Sequence, residues 1–140
     1  MWLFYAFLSA LFAALVAIFG KIGLKNIDST LATTVRSVVM ALFLLSVSLS
    51  FGKFGNWSFA NFSSKEWIMI VLSGVAGAMS WLFYFFAIKE GSVNSVVAID
   101  RLSIVFVVFL SALFLGEALT WKTGLGALLV ALGAFLITLK

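Results

Sequence analysis

The sequence contains no cysteine, no histidine and no proline, and only nine Lys or Arg and five Asp or Glu among its 140 residues. Without cysteine there is no disulfide framework, thiolate nucleophile, zinc-thiolate site or haem attachment. Without histidine, imidazole-metal sites and Ser-His-Asp chemistry are excluded as well, so neither a metal nor a cofactor is expected. Without proline, a break in a helix has to rely on glycine or serine. The basic residues stand singly at segment ends, never in a run, and nucleic acid is therefore not an expected partner. A soluble domain carries about 25% charged residues, whereas this chain has 10% charged and 64% hydrophobic residues and a mean hydropathy of +1.24. So few charges cannot cover the surface of a water-soluble globule. The lipid bilayer is the solvent for most of the chain.

What is present is a set of long apolar runs. Crossing a bilayer takes roughly 20 apolar residues in a helix, and the charges divide the chain into five such stretches: 1–20, 30–52, 67–88, 93–116 and 119–139. Transmembrane strands would need alternating segments of about ten residues, so the expected fold is an all-α integral membrane protein in a single domain over 1–140. The first stretch lacks the basic start of a signal peptide and is expected to be retained. The long connection, with Asn56, Trp57, Phe59, Asn61 and Phe62, suits an interfacial loop; its two glycosylation sequons carry little weight. Small residues at four-residue spacing, Ser9, Ala13 and Ala17, Gly74 and Ala78, and Ala127 and Ala131, are candidates for close helix contacts.

Five spans put the termini on opposite sides. Lys53, Lys65 and Lys122 lie on the N-terminal side, Lys21, Lys25, Lys89 and Lys140 on the other. Arg36 and Arg101 sit nearer the second side and could snorkel toward it, which favours a cytoplasmic C-terminus by a small margin and leaves dual orientation open.

Ionisable residues inside a span are costly enough to be read first as functional. Arg36 lies six residues into the second stretch and Asp100 seven into the fourth, both at a depth of roughly 10 Å, so they can pair. Ser92, Asp100, Ser103 and Ser111 fall within an arc of about 100° on one helix, a polar stripe that points to a solute pathway or to a polar neighbour; Arg101 points away from its centre. Ser80-Trp81-Leu82-Phe83-Tyr84-Phe85-Phe86 closes the third stretch. Its aromatic surface suits an amphipathic or cationic small solute, with an interfacial aromatic belt as the alternative. Trp81 and Tyr84 can share a helix face. Glu117 precedes the fifth span and is expected to act as a structural cap there rather than in proton coupling. Lys21 is expected to anchor the end of the first span at the interface.

Tyr84 and Ala87 closing the third span, Leu115-Gly116-Glu117-Ala118-Leu119 between the fourth and fifth, and Gly126 and Gly133 beyond them resemble the EamA-type domain of the drug/metabolite transporter superfamily. The first half is similar through Lys21 and Arg36. The resemblance implies one five-helix EamA-type repeat in a prokaryotic cytoplasmic membrane, a secondary carrier of small organic molecules, often an exporter, with its substrate held in a cavity lined by the first four helices. It makes Arg36, Trp81, Tyr84, Asp100 and Ser103 the candidate substrate-binding residues, and Arg36, Asp100 and Arg101 the candidate coupling or structural ion pair. Relatives mostly carry two inverted repeats per chain, which implies here a homodimer of oppositely inserted copies or a heterodimer with a second half-size subunit. The family often has a proline early in the fourth helix where this chain reads Asp100-Arg101-Leu102-Ser103, so a kink there is not assured. Alternatives are a flippase for a lipid-linked metabolite and a noncatalytic membrane subunit. An enzyme is the weakest reading, because dispersed carboxylates supply neither an activated nucleophile nor a metal cluster.

Overall fold

Lipid offers no hydrogen-bond partner to a peptide group, so a chain this apolar must satisfy its backbone internally, and a continuous helix does so. The computed structural model describes residues 1–55, 58 and 62–139 and consists of helices and turns, with no strand among the described residues. Asn56, Trp57, Phe59 and Asn61 of the expected interfacial loop, and Lys140, lie outside them. The helices are α1 (Trp2–Gly23), α2 (Ser29–Ser50), α3 (Ser64–Glu90), α4 (Val93–Asp100), α5 (Ser103–Phe114) and α6 (Trp121–Thr138), with a 3₁₀ turn at Leu24–Asn26. Taking α4 and α5 together, five segments are long and apolar enough to cross a membrane.

Side chains close most of these helices. Asp28 accepts the Leu31 N–H at the start of α2. Ser63 Oγ accepts the Glu66 N–H while Glu66 accepts the Ser63 N–H, a reciprocal cap on α3. Ser92 caps α4 by accepting the Ser95 N–H. Thr120 and Thr123 form a capping box on α6. Glu117 is therefore not the cap of the last span: it lies in the non-helical segment before Thr120, and its own N–H donates to the Ser111 carbonyl. Gly116 at φ +69° turns the chain there, a left-handed conformation that costs other residues roughly 1–2 kcal/mol. Gly52 at φ +62° ends α2 in the same way, with the Lys53 N–H bonded to the Ser48 carbonyl.

The fourth span is not one uninterrupted helix. The Arg101 N–H is shared between the Val97 and Ala98 carbonyls, and the Leu102, Ile104 and Val105 N–H groups each reach back three residues instead of four. Arg101 and Leu102 thus form a tight 3₁₀ turn between α4 and α5, made without proline or glycine. Because such a turn advances faster around the axis than an α-helix, it shifts the register that the polar stripe assumed.

By their contacts the residues fall into two compact units, one comprising Met1–Lys21 with Glu90–Lys140, the other Ile22–Lys89. In the first unit α6 packs against α4 and α5, and the buried residues are alanines, Ala17, Ala98, Ala127 and Ala134. Small side chains at these positions let backbones approach, which replaces the hydrophobic effect as the source of helix association in lipid. Lys21 Nζ donates to the Gly91 carbonyl at 2.9 Å, joining the end of α1 to the start of α4. In the second unit Leu24, Ser29, Thr33, Phe85 and Ile88 are buried, and Lys89 Nζ donates to the Ile27 carbonyl at 2.9 Å. Of the small-residue candidates, Ala17 and Ala127 are buried, whereas Ser9, Gly74 and Ala78 are exposed. Large apolar side chains face outward throughout, Phe43 and Leu136 each being 67% exposed, the arrangement that lipid stabilises and water would not.

Two outcomes follow for stability. Ala134→Leu, which forces volume into a buried alanine position, is expected to cost about 1–3 kcal/mol in detergent unfolding, while Leu136→Ala on the exposed face leaves the midpoint almost unchanged. The Leu31 N–H holds the Asp28 carboxyl below its ordinary pKa against the opposing effect of desolvation, with help from the Thr30 and Ser29 N–H groups and the charge of Lys89. A lowered folded-state pKa means that the cap stabilises fully above the unfolded carboxylate value, about 3.9, and loses that contribution as pH falls through the folded value. Asp28→Ala is therefore expected to lower the thermal midpoint at neutral pH and to converge with the parent chain in strong acid.

Candidate functional site

The intramembrane cation Arg36 is placed by α2. It stands seven residues beyond Ser29, roughly 10 Å from the end of the helix at 1.5 Å per residue. The hydroxyls around it on the same helix are already occupied: Thr33 donates to the Ser29 carbonyl at 2.7 Å and Ser37 to the Thr33 carbonyl at 2.8 Å. Such back-bonding lets a hydroxyl sit in lipid without another partner. A guanidinium has no comparable solution, since five N–H donors cannot all fold back onto one helix.

The partner surface comes from α3. The Arg36 guanidinium carbon lies 3.7 Å from the Trp81 ring centroid and 5.5 Å from that of Phe85. Trp81 is held edge-on by Tyr84 at 5.4 Å and by Phe85 at 6.0 Å, and Phe85 is itself buried. Trp81, Tyr84 and Phe85 lie one turn apart or less on α3, so helix geometry brings them to one face. The face of Trp81 expected to receive a cationic solute is thus covered by a cation of the protein's own.

Within this unit the carboxylates are engaged elsewhere, Asp28 with Leu31 and Glu66 with Ser63. No hydrogen bond or salt bridge joins Arg36 to the described residues of this unit, and the side chain is half-buried. An arginine at the helix centre costs up to about 3.5 kcal/mol on insertion scales and less nearer the interface, while a cation–π contact returns about 0.5–2 kcal/mol.

The other residues singled out from sequence belong to the first unit. Asp100 ends α4 and Arg101 opens the 3₁₀ turn; both are exposed, as is Ser103 at the start of α5. Ser92 is consumed as the cap of α4, its Oγ also accommodating Ser95 at 2.7 Å, and Ser111 donates to the Val108 carbonyl at 3.3 Å. The expected stripe is therefore two capping or back-bonded serines on either side of an exposed charged turn. Sequence reasoning missed Phe85, although its spacing of four from Trp81 was the available signal. It also missed the Lys89 bond to Ile27, for which no sequence pattern exists. An open groove of about 420 Å³ runs between α1, α4 and α6, lined by Ala14, Ala17, Val97, Ala98 and Ile137 with Asn94 as its polar member. It offers hydrocarbon contact and no charge.

No group of His, Cys, Asp and Glu able to hold a metal occurs among the described residues. Five segments long and apolar enough to cross a membrane describe an integral membrane protein. Comparison with known proteins agrees. Residues 1–139 match the EamA-like transporter family. A Sinorhizobium protein described as an "Uncharacterized transporter in cobO 3'region" is 40% identical over 136 residues, covering 97% of this chain and 95% of its own length. No solved structure matches. The chain belongs to the EamA-like transporter family, a family of integral membrane transporters and not of enzymes.

Proposed function

We propose that the protein is a secondary carrier of small organic solutes, built as a pair of five-helix halves, with Arg36, Trp81 and Tyr84 contacting the solute. The observation that carries this reading is the Arg36 guanidinium carbon 3.7 Å from the Trp81 ring centroid, a charged group placed inside a span beside aromatic side chains and lacking a charged partner in its own unit. A purely structural arginine would be expected to have its N–H groups occupied. Asp100, the acidic residue furthest inside a span, is the proposed coupling carboxylate, placed beside the 3₁₀ turn where α4 gives way to α5. Ser103 lies just past that turn and completes the proposed polar path, while Arg101 and Glu117 hold structural roles. The site lies in the cytoplasmic membrane of a prokaryote in this reading.

Pairing follows from the repeat count. Carriers of this plan hold their solute between two inverted repeats, and five spans from one chain supply one repeat. The near balance of Lys and Arg between the two sides permits both orientations. The reading therefore takes the assembly as an antiparallel homodimer, with a half-size heterodimer partner as the other arrangement.

The carrier reading is tested in proteoliposomes loaded with a mixed pool of organic acids, amino acids and amines, with efflux read by mass spectrometry. At least one solute is expected to leave faster than from empty liposomes, and Arg36→Ala to slow it about tenfold, the loss of roughly 1.4 kcal/mol of solute recognition. Asp100→Asn is expected to abolish uptake driven by a pH gradient while leaving solute exchange at equal pH intact. Movement of no solute would sink the carrier reading, and retained pH-driven uptake would remove Asp100 from coupling. For the assembly, a single cysteine placed beside Lys140 and probed in intact cells with an impermeant thiol reagent is expected to label about half the molecules, as dual insertion under a weak charge bias requires. Labelling of all or none would exclude the antiparallel homodimer.

A further inference from the structure

We infer that the Arg36–Trp81 pair is an oxyanion-recognition site, and that its ligand carries a carboxylate or phosphate on an apolar body. The inference rests on the solute-contacting reading above and names the ligand's chemistry. Three observations converge on it. First, the guanidinium carbon lies over the indole, 3.7 Å from its centroid, with the Phe85 ring at 5.5 Å. A ring face attracts the charge but accepts none of the N–H donors, whose fork matches an oxyanion bidentately. Second, no hydrogen bond or salt bridge joins Arg36 to the described residues of its unit, and its side chain is half-buried rather than enclosed. Third, Asp28 and Glu66, the carboxylates that could have neutralised Arg36 within the unit, are spent on helix caps.

A cationic ligand is disfavoured on the same geometry. The Trp81 face that would attract it by cation–π contact already holds a guanidinium, and a second positive charge beside it would be repelled. An apolar ligand without charge would leave the N–H donors unpaired in a medium that cannot solvate them. An oxyanion supplies acceptor and counter-charge together, and the rings of Tyr84 and Phe85, packed around Trp81, accept an adjoining apolar group. The oxyanion can belong to a free organic acid or to a phospholipid headgroup, which share this chemistry.

The test is calorimetric binding to the full chain in phosphatidylcholine nanodiscs with three probes of one skeleton: phenylpropionate, phenylpropanol and phenylpropylamine. Phenylpropionate is expected to bind roughly tenfold tighter than the alcohol, and the amine more weakly than either. Arg36→Gln is expected to bring the acid to the affinity of the alcohol. Should that variant fail to insert, Arg36→Lys decides, because it keeps the charge and loses the planar fork: a reduced preference for the acid supports the site, and an unaltered preference overturns it. Equal binding of the three probes overturns the oxyanion assignment while leaving a solute pocket standing. Binding of none overturns both. Repeating the titration in a phosphate-free maltoside detergent and then adding phosphatidylglycerol identifies the source, since undiminished phenylpropionate binding assigns the site to free acids and its displacement assigns it to a lipid phosphate.

Discussion

Every polar group in this protein answers to one constraint: the surrounding hydrocarbon neither donates nor accepts a hydrogen bond. The backbone meets it by forming helices, and the side chains meet it by turning back on their own helix. On α2, Thr33, Thr34, Ser37, Ser46 and Ser50 each donate to the carbonyl four residues earlier. At helix starts the same constraint appears as side-chain caps from Asp28, Ser63, Ser92 and Thr120. At helix ends it appears as lysine ammonium groups on carbonyls, Lys21 on Gly91 and Lys89 on Ile27. Many of the chain's scarce polar residues thus close its own backbone.

Arg36 stands out against that economy. Its charge cannot be folded back as a hydroxyl can, and the side chains nearest to it in its unit are aromatic rings, which attract a cation but accept no conventional hydrogen bond. Within its unit the guanidinium has aromatic faces beside it and no carboxylate free of a helix cap. In the oxyanion-recognition site proposed above, selectivity would come from that shortage of acceptors rather than from a surplus of contacts.

The spans themselves were legible, because a run of some 20 apolar residues has few other structural meanings, and the five expected stretches reappear with boundaries shifted by a few residues. The interruption at Arg101–Leu102 was not, since a 3₁₀ turn changes only which carbonyl each N–H finds and leaves no compositional mark. Glu117 was read as a cap from its charge and its place before an apolar run, but the turn around Gly116 takes longer to complete, and the Thr120-x-x-Thr123 spacing was the stronger cue. For Arg36 the sequence offered Asp100 as the natural opposite charge. Its place on Trp81 depends on the relative register of α2 and α3, which a single sequence does not encode in any local pattern. The family resemblance, carried mainly by the Leu115-Gly116-Glu117 turn and its surroundings, anticipated the class of protein and its architecture.

The alanines buried in the first unit bear on motion. Interlocking side chains such as Leu and Ile give a helix surface a corrugation that fixes its neighbour in one register. Ala17, Ala98, Ala127 and Ala134 present methyl groups instead, and methyl groups make a smooth track. At these positions α4 and α6 meet without large interlocking side chains, the kind of surface on which packed helices can shear. A seam that brings backbones close without cogging them together combines cohesion with low friction, and its smoothness is a mechanical property that larger, better-anchored side chains would remove.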